Sequence, residues 1–317
     1  MKYQFSTLKE LYEILESERL TIDEYLLQRE AFLSGKNLEL VIAELDRRIA
    51  ITRQALIRGL SEPQQSRSGL TQGAAYRYLR SSNRIVRDPF FHRTVAYALS
   101  INEVNACGGK IVAFPTAGSS GIVPAVIWAY WDSFVPEESK AATETNSETR
   151  VISVPRSLDP PYSRSLRSAF LIASLVGIFI AQGATLAGAE GGCQAECGSA
   201  GAMAAAALAS LQGASLETCF HAAALSLKNA LGLACDPVAG LVEVPCVKRN
   251  GFMATNALTA VELALAGIQS RIPFEEVIQA MKQIGESLPA SIRESAEGGL
   301  AVTPTGLYYK KLIMGGE

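Results

Sequence analysis

Histidine and closely paired cysteines are nearly absent from this sequence. The chain has two histidines, His92 and His221, and they are not spaced as zinc ligands. It contains no C-x-x-C motif and a single C-x3-C motif, from Cys193 to Cys197. Structural zinc sites combine closely spaced cysteine and histidine pairs, so zinc-finger chemistry fits this chain poorly.

Aromatic residues are also scarce, at 7% of the 317 residues, although hydrophobic residues make up 48%. Alanine, glycine and leucine carry the apolar content, which favours closely packed helices over sheets of β-branched strands. We therefore predict a mainly α fold: a multi-helix globular bundle with a buried Ala/Gly-rich central helix and a few short strands. Ala-rich segments at Ser199–Leu211 and Leu216–Leu231 predict two of its helices.

The charge pattern excludes several classes of protein. The formal net charge is -2, with mixed signs and no basic patch, so we exclude nucleic acid as a partner. The segment from Met1 to Glu30 is charged throughout and lacks the apolar core of a signal peptide, which predicts a cytoplasmic protein. The uncharged run from Ser168 to Ala189 is long enough to span a bilayer. Because it is rich in Ala, Gly and Ser and leads directly into Glu190, we interpret it as the buried central helix.

The chain divides into two segments by its patterning. Residues 1–65 are a charged, amphipathic helical segment, in which Thr21 followed by Asp23 and Glu24 is typical of a helix N-terminus. Residues 66–317 contain all six cysteines. Within them, a polar insertion with several prolines, from Trp131 to Arg164, is predicted to lie on the surface.

The cysteines indicate metal chemistry, since the cytosol keeps thiols reduced. We expect Cys107 and Cys219 to be small buried hydrophobes. Cys193, Cys235 and Cys246 each lie near a helix breaker or a small residue, which lets distant thiols converge. Three thiolates without an obvious fourth protein ligand favour a [4Fe–4S] cluster whose open iron is a Lewis acid. A non-catalytic helical subunit with structural zinc or inert thiols is the alternative.

A Gly/Ser loop at Pro115–Gly121 follows a short extended run and leads into a predicted helix. Backbone N–H groups and the helix dipole at such a junction favour a carboxylate or phosphate, although a plain strand–turn–helix junction has the same pattern. The loop lacks the lysine of a P-loop. A second hypothesis gives Lys228 a Schiff base with pyridoxal phosphate and lets Gly118–Gly121 hold the phosphate. That hypothesis leaves three cysteines without a role.

Several stretches of the chain carry a resemblance to a known family. They are Asn102–Asn105, Pro115–Gly121, Gly191–Gly198, Leu227–Asn250 and Thr303–Gly306. Through them the chain resembles the α chain of bacterial iron–sulfur-dependent L-serine dehydratase, which implies that residues 66–317 form the catalytic domain. The reaction implied by the resemblance converts L-serine to pyruvate and ammonia, in amino-acid catabolism and gluconeogenesis.

The resemblance also implies the residues of the site. The family's cluster cysteines follow the pattern C-x41-C-x10-C, which Cys193, Cys235 and Cys246 match, whereas Cys197 falls outside it. The residues implied for the substrate carboxylate are Thr116, Gly118, Ser119 and Ser120. The candidates for positioning or proton transfer are Lys228, Asp236 and Lys248, together with Glu243 and Arg249.

The family's second module, the β chain, carries a Ser-His-Thr-type motif that this sequence lacks. We therefore expect the chain to be one subunit of a hetero-oligomer or dimer that is active on L-serine only with a β chain. We also expect the holoenzyme to be oxygen-sensitive, because an iron with an open position is accessible to oxidants.

Overall fold

The computed structural model describes residues 3–136 and 153–315, and it confirms the mainly α fold. In these ranges there is no β-strand, and extended pairing is limited to two isolated bridges, Gln65 with Gln72 and Cys235 with Arg293. The helices are α1 (Leu8–Glu18), α2 (Ile22–Ser34), α3 (Leu38–Ser61), α4 (Ala74–Arg80), α5 (Pro89–Ala106), α6 (Ile122–Phe134), α7 (Arg164–Gly183), α8 (Gly188–Gly191), α9 (Ser199–Leu211), α10 (Leu216–Lys228), α11 (Cys246–Leu265), α12 (Phe274–Ser287) and α13 (Pro304–Ile313).

The N-terminal segment forms three helices, as predicted. Thr21 caps α2 by accepting the N–H of Glu24, whose carboxylate in turn accepts the N–H of Thr21. The 24-residue helix α3 buries Leu56 and Leu60 and packs against α4, α5 and α6. The boundary predicted at residue 65 falls in the loop after α3, but a single hydrophobic core runs through both segments.

The centre of the fold is α9, which is buried along almost its whole length. Its alanines allow α7, α10, α11 and α6 to pack closely around it. A Cβ on Gly177 of α7 would lie 3.2 Å from Met203 Cε of α9, so these two helices are in direct contact. The Ala-rich segment thus forms the scaffold from which the cysteine-bearing turns extend.

The uncharged run predicted as the central helix forms α7, which ends at Gly183 rather than at Ala189. Ala184 leaves the helical conformation with φ -147° and ψ -140°. Of the residues that the structure describes, only α7 is long and apolar enough to cross a bilayer. It packs inside the fold, and at its start Arg167 forms an ion pair with the buried Asp46. These contacts are those of a core helix, as predicted.

The predicted polar insertion begins later than expected. Trp131 is a buried residue of α6, and residues 137–152 of the insertion lie outside the described residues. Arg53 joins both sides of it, because it binds the Asp132 carboxylate at 2.7 and 2.9 Å and the carbonyl of Arg156 at 3.0 Å. The insertion therefore starts and ends at the surface of the same helical core.

Candidate active site

An irregular turn before α9 positions Cys193 and Glu196. Gly192 precedes it with a φ of 73°, and a Cβ there would lie 2.8 Å from the carbonyl oxygen of Leu233, so glycine is required. Residues Gln194–Gly198 then form one turn of π-helix that continues directly into α9. Such turns are rare and occur frequently at functional sites.

The buried side chain of Gln194 fixes this turn. Its Nε2 donates to the carbonyl of Met281 at 2.9 Å, and its Oε1 accepts the N–H of Gly232 at 2.9 Å. These bonds tie the turn to α12 and to the loop that leads to Cys235. The orientation of the turn is therefore set by residues far away in the sequence.

The other two cysteines of the predicted ligand set lie on two other parts of the chain. Cys235 lies in extended backbone next to Arg293: its N–H donates to the carbonyl of Ile292 at 2.8 Å, and its carbonyl accepts the N–H of Glu294 at 2.7 Å. Cys246 is the first residue of α11. All three predicted ligand thiols are buried.

The thiols of Cys197 and Cys235 and the guanidinium of Arg249 lie near the thiol of Cys193 and act on it as donors. These donors hold the pKa of Cys193 well below its usual range. The pKa values of Cys197 and Cys235 are raised, because each shares its proton with Cys193 and each is buried. Burial, followed by the charge on Cys193, raises the pKa of Cys246 to about 12. Among these thiols, that of Cys193 is therefore the one whose ionised form the site favours most.

Glu196 links these thiols to the Gly/Ser loop. Its Oε1 accepts a hydrogen bond from Thr116 Oγ1 at 2.8 Å, and its Oε2 accepts one from Cys235 Sγ at 3.6 Å. Burial, followed by the charge on Cys193, raises the pKa of this carboxyl to about 7. The carboxyl therefore joins two parts of the site that are far apart in sequence.

Two asparagines fix the backbone of the Gly/Ser loop through hydrogen bonds. The Nδ2 atoms of Asn102 and Asn250 donate to the carbonyl of Gly118 at 2.9 and 2.8 Å. Asn250 Oδ1 also accepts the N–H of Gly121 at 3.0 Å. Gly121 has no room for a side chain, because a Cβ would overlap the carbonyl oxygen of Ala98.

The loop's free donors differ from those expected at a helix N-terminus. The N–H of Ser120 donates to the carbonyl of Ala117 at 3.2 Å. The hydroxyl of Ser119 donates to the carbonyl of Phe114 at 2.8 Å. By contrast, the N–H groups of Ala117, Gly118 and Ser119 make no hydrogen bond with the residues that the structure describes. Ala117 is exposed. Ser119 is fully buried, so the loop presents the two consecutive backbone donors of Ala117 and Gly118, which suit an anion.

Comparison with known proteins identifies the family to which this site belongs. The family model described as serine dehydratase alpha chain matches residues 17–301. The chain belongs to this family. The probable L-serine dehydratase, alpha chain, of Bacillus subtilis is 41% identical over 315 residues, which cover 98% of this chain and 96% of the relative. The L-serine dehydratase, alpha chain, of Peptoniphilus asaccharolyticus is 39% identical over 304 residues, or 95% of each chain.

Some relatives are longer proteins. L-serine dehydratase 2 of Escherichia coli is 33% identical over 311 residues, which cover 95% of this chain but 62% of the relative. Such relatives contain sequence beyond the region they share with this alpha chain.

The thiols fit an iron–sulfur cluster by their chemistry. The three predicted ligands are buried, and the charge of Arg249 favours the thiolate form of Cys193. Within residues 3–136 and 153–315, however, no three His, Cys, Asp or Glu side chains already surround a single metal position. Cys197, outside the predicted ligand set, acts on the pKa of Cys193 as a donor, as Cys235 does. Cys219 lies apart on α10, near Tyr12.

The structure places the predicted catalytic residues in three different environments. Asp236 Oδ2 accepts the N–H of Leu300 at 2.8 Å, and Oδ1 lies 3.8 Å from the guanidinium of Arg249. Lys228 lies in an open groove between α10 and α11 that none of the cysteines lines. Lys248 is exposed on α11, where its charge acts on the buried Glu103. Of the three, only Asp236 is brought next to the thiols.

The other two candidates also differ in position. Glu243 accepts hydrogen bonds from the hydroxyls of Ser66 and Ser68, each at 2.6 Å, and so holds the loop before α4. Arg249 donates to the carbonyl of Ala234 at 2.8 Å, which fixes its guanidinium against the loop that carries Cys235.

Glu196 was missed by reasoning from the sequence, although the sequence contains a signal for it. It is the only charged residue between Glu190 and Glu217, a segment rich in alanine and glycine. A single carboxylate in such a segment has to be solvated, paired or functional, because burying an unpaired charge is costly.

Proposed function

We propose that this chain is the α subunit of an L-serine dehydratase, which converts L-serine to pyruvate and ammonia together with a β chain. We further propose that it acts in the cytoplasm, in amino-acid catabolism and gluconeogenesis. The proposal is supported by similarity over nearly the full length to two relatives whose names state that they are L-serine dehydratase alpha chains.

The observation that carries the proposal is the proximity of thiols from three distant parts of the chain, which act on one another electrostatically beside a loop with free backbone donors. We propose that Cys193, Cys235 and Cys246 hold a [4Fe–4S] cluster. When bound, the cluster supplies a Lewis acid for a leaving hydroxyl group. Arg249 stabilises the thiolate form of Cys193, which is the form that ligates metal.

The protein's own groups have two further tasks in this proposal. The N–H groups of Ala117 and Gly118 bind the carboxylate of L-serine, since two adjacent amide donors can each bond one of its oxygens. The surrounding buried helices exclude bulk water, which strengthens every polar contact in the site. Thr116 and Ser119 act through their hydroxyls on the shape of the loop, because both hydroxyls are engaged within the protein.

We propose a separate β chain because the relatives fall into two classes by length. In the alpha-chain relatives the match spans the whole protein, whereas it covers 62% of L-serine dehydratase 2. The additional sequence of the longer relative is the natural counterpart of a second subunit.

Anaerobic co-expression with a candidate β chain tests the proposal directly. The expected result is a complex that contains iron and sulfide, has a broad visible absorbance that bleaches on reduction, and forms pyruvate from L-serine. Inactivation by air is expected as well. Zinc in place of iron, or trapping of a pyridoxal aldimine on Lys228 by borohydride, would contradict the cluster.

A further inference from the structure

Glu196 differs from all its neighbours in solvent access. All residues from Gly191 to Ala209 are buried except Glu196, which is partly exposed. The π-helical turn directs this one side chain out of the packed segment, toward Thr116. A carboxylate in that position faces the space between the thiols and the Gly/Ser loop.

Glycines allow the backbone to pass close to this carboxylate. A Cβ on Gly118 would lie 3.7 Å from Glu196 Oε1, so the loop backbone passes close to the carboxylate. A Cβ on Gly188 would lie 2.5 Å from Glu196 Oε2 and 3.1 Å from Glu294 Oε2. Any side chain at Gly188 would therefore collide with Glu196.

Among the described residues, no lysine, arginine or histidine forms an ion pair with this carboxylate. Across residues 3–136 and 153–315, none of the ion pairs includes Glu196 or Glu294. The negative charge of Glu294 acts on Glu196 as well. Two carboxylates near each other without a cation raise the local negative potential, and a positively charged ligand group would lower it.

We propose that Glu196 binds the ammonium group of the substrate, and that it thereby selects 2-amino acids over 2-hydroxy acids. This inference rests on the proposed function. A zwitterionic amino acid needs an anion site and a cation site close together. The free N–H groups of Ala117 and Gly118 provide the first, and Glu196, directly beside Gly118, provides the second.

The role of Thr116 follows from this arrangement. Its hydroxyl donates to Oε1 of Glu196 and so fixes the carboxylate relative to the loop. The distance between the two halves of the amino-acid site is therefore set by one hydrogen bond. Thr116 is a positioning residue, whereas Glu196 contacts the substrate.

The test uses the iron-loaded complex with its β chain and the variant Glu196→Gln. Glutamine keeps the size of the side chain and the acceptor for Thr116, but it removes the charge. The KM for L-serine and the Ki of L-alanine should rise about 10- to 100-fold, as expected for the loss of a charge-assisted hydrogen bond. The Ki of L-lactate, in which a hydroxyl replaces the ammonium group, should stay the same, and iron content should not change.

The matched control is Glu286→Gln, which removes one exposed carboxylate from α12. Its kinetic constants should equal those of the unaltered complex. If Glu196→Gln leaves the KM for L-serine and the Ki of L-alanine unchanged, or if it loses the iron, the inference is wrong while the proposed function stands. If the unaltered complex forms no pyruvate from L-serine, both fail.

The unaltered complex gives a second measurement that does not depend on the folding of any variant. L-alanine and L-lactate share a carbon skeleton and a carboxylate, and they differ in the group that Glu196 would contact. L-alanine should be the tighter inhibitor. Equal inhibition by the two compounds would overturn the inference.

Discussion

Asp236 holds the C-terminal part of the chain against the thiols through Leu300. Its Oδ2 accepts the N–H of Leu300 at 2.8 Å, at the start of the short turn Gly299–Val302. One residue before Asp236, Cys235 is paired with Arg293, which lies seven residues before Leu300. Residues 290–302, here called the C-terminal strap, are therefore fastened to the cysteine loop at two adjacent residues.

The C-terminal strap has an unusual backbone between these two attachments. Glu294 and Ala296 have φ values of 64° and 56°, in the left-handed region that side chains other than glycine rarely adopt. Such conformations cost free energy and persist only where the surrounding structure enforces them. The hydrogen bonds of Cys235 and Asp236 to the strap supply that constraint.

Removing the Asp236 carboxylate should release the strap. We expect Asp236→Ala to lower the free energy of unfolding by about 1–3 kcal/mol, because the N–H of Leu300 loses its acceptor. Hydrogen exchange of residues 290–302 should become faster. Asp236→Asn is the control, since its amide oxygen can accept the same N–H. If Asp236 instead takes part in proton transfer, Asp236→Asn should lose turnover while its strap stays protected.

Much of the scaffold was predictable because its signals are local. The predicted helix Ser199–Leu211 has the same bounds as α9, and the N-cap at Thr21 was visible from the acidic residues after it. Convergence of Cys193 with Cys235 was expected from the small residues and helix breakers around them. Such features depend on a few neighbouring residues, which a sequence displays directly.

The features that could not be predicted depend on distant contacts. The π-helical turn is fixed by Gln194 bonding to Met281 and Gly232, and nothing near Gln194 in the sequence indicates these partners. Lys228 precedes Cys235 by seven residues, but α10 ends at Lys228, and some of the following residues, as far as Leu233, line the same groove, so that Lys228 and Cys235 belong to different environments. The direction of a side chain at a helix end is set by the turn that follows it.

The pH dependence of stability should reveal the buried thiol of Cys219. Burial raises its pKa from 9.0 to about 12, so the folded chain binds this proton more tightly than the unfolded chain does. Its contribution is therefore complete below pH 9.0 and is lost as pH rises toward 12. Between about pH 8 and pH 10 the free energy of unfolding should fall by about 1 kcal/mol more than in Cys219→Ala. Urea unfolding at the two pH values measures this, and parallel behaviour would contradict it.

Replacement of Lys228 should leave the reaction intact. Lys228 shares its groove with Phe252, Met253 and Asn256, and no cysteine lines that groove. We expect Lys228→Gln to change kcat/KM by less than about twofold. Lys310→Gln on the exposed side of α13 is a matched control for the loss of one positive charge. A loss of about tenfold or more in Lys228→Gln alone, with iron retained, would assign Lys228 a part in the reaction.

The cysteines should fall into two groups when each is replaced and iron is measured after anaerobic reconstitution. Cys235→Ser should abolish cluster assembly, because the thiolate is the ligand and a serine hydroxyl rarely replaces it. Cys219→Ser should keep its iron, since Cys219 lies apart on α10. Equal iron content in these two variants would refute the predicted ligand set.

The variant Cys197→Ala tests whether Cys197 is a ligand of the cluster. Cys197 and Cys235 both donate to the Cys193 thiolate, so both lie close enough to exchange a proton with it. Only Cys235 belongs to the C-x41-C-x10-C pattern, and we therefore expect Cys197→Ala to retain iron and visible absorbance. Alanine also suits the buried position, because it leaves no unpaired polar group. Loss of iron in Cys197→Ala would instead make Cys197 a ligand and fill the position that the proposed reaction requires to be open.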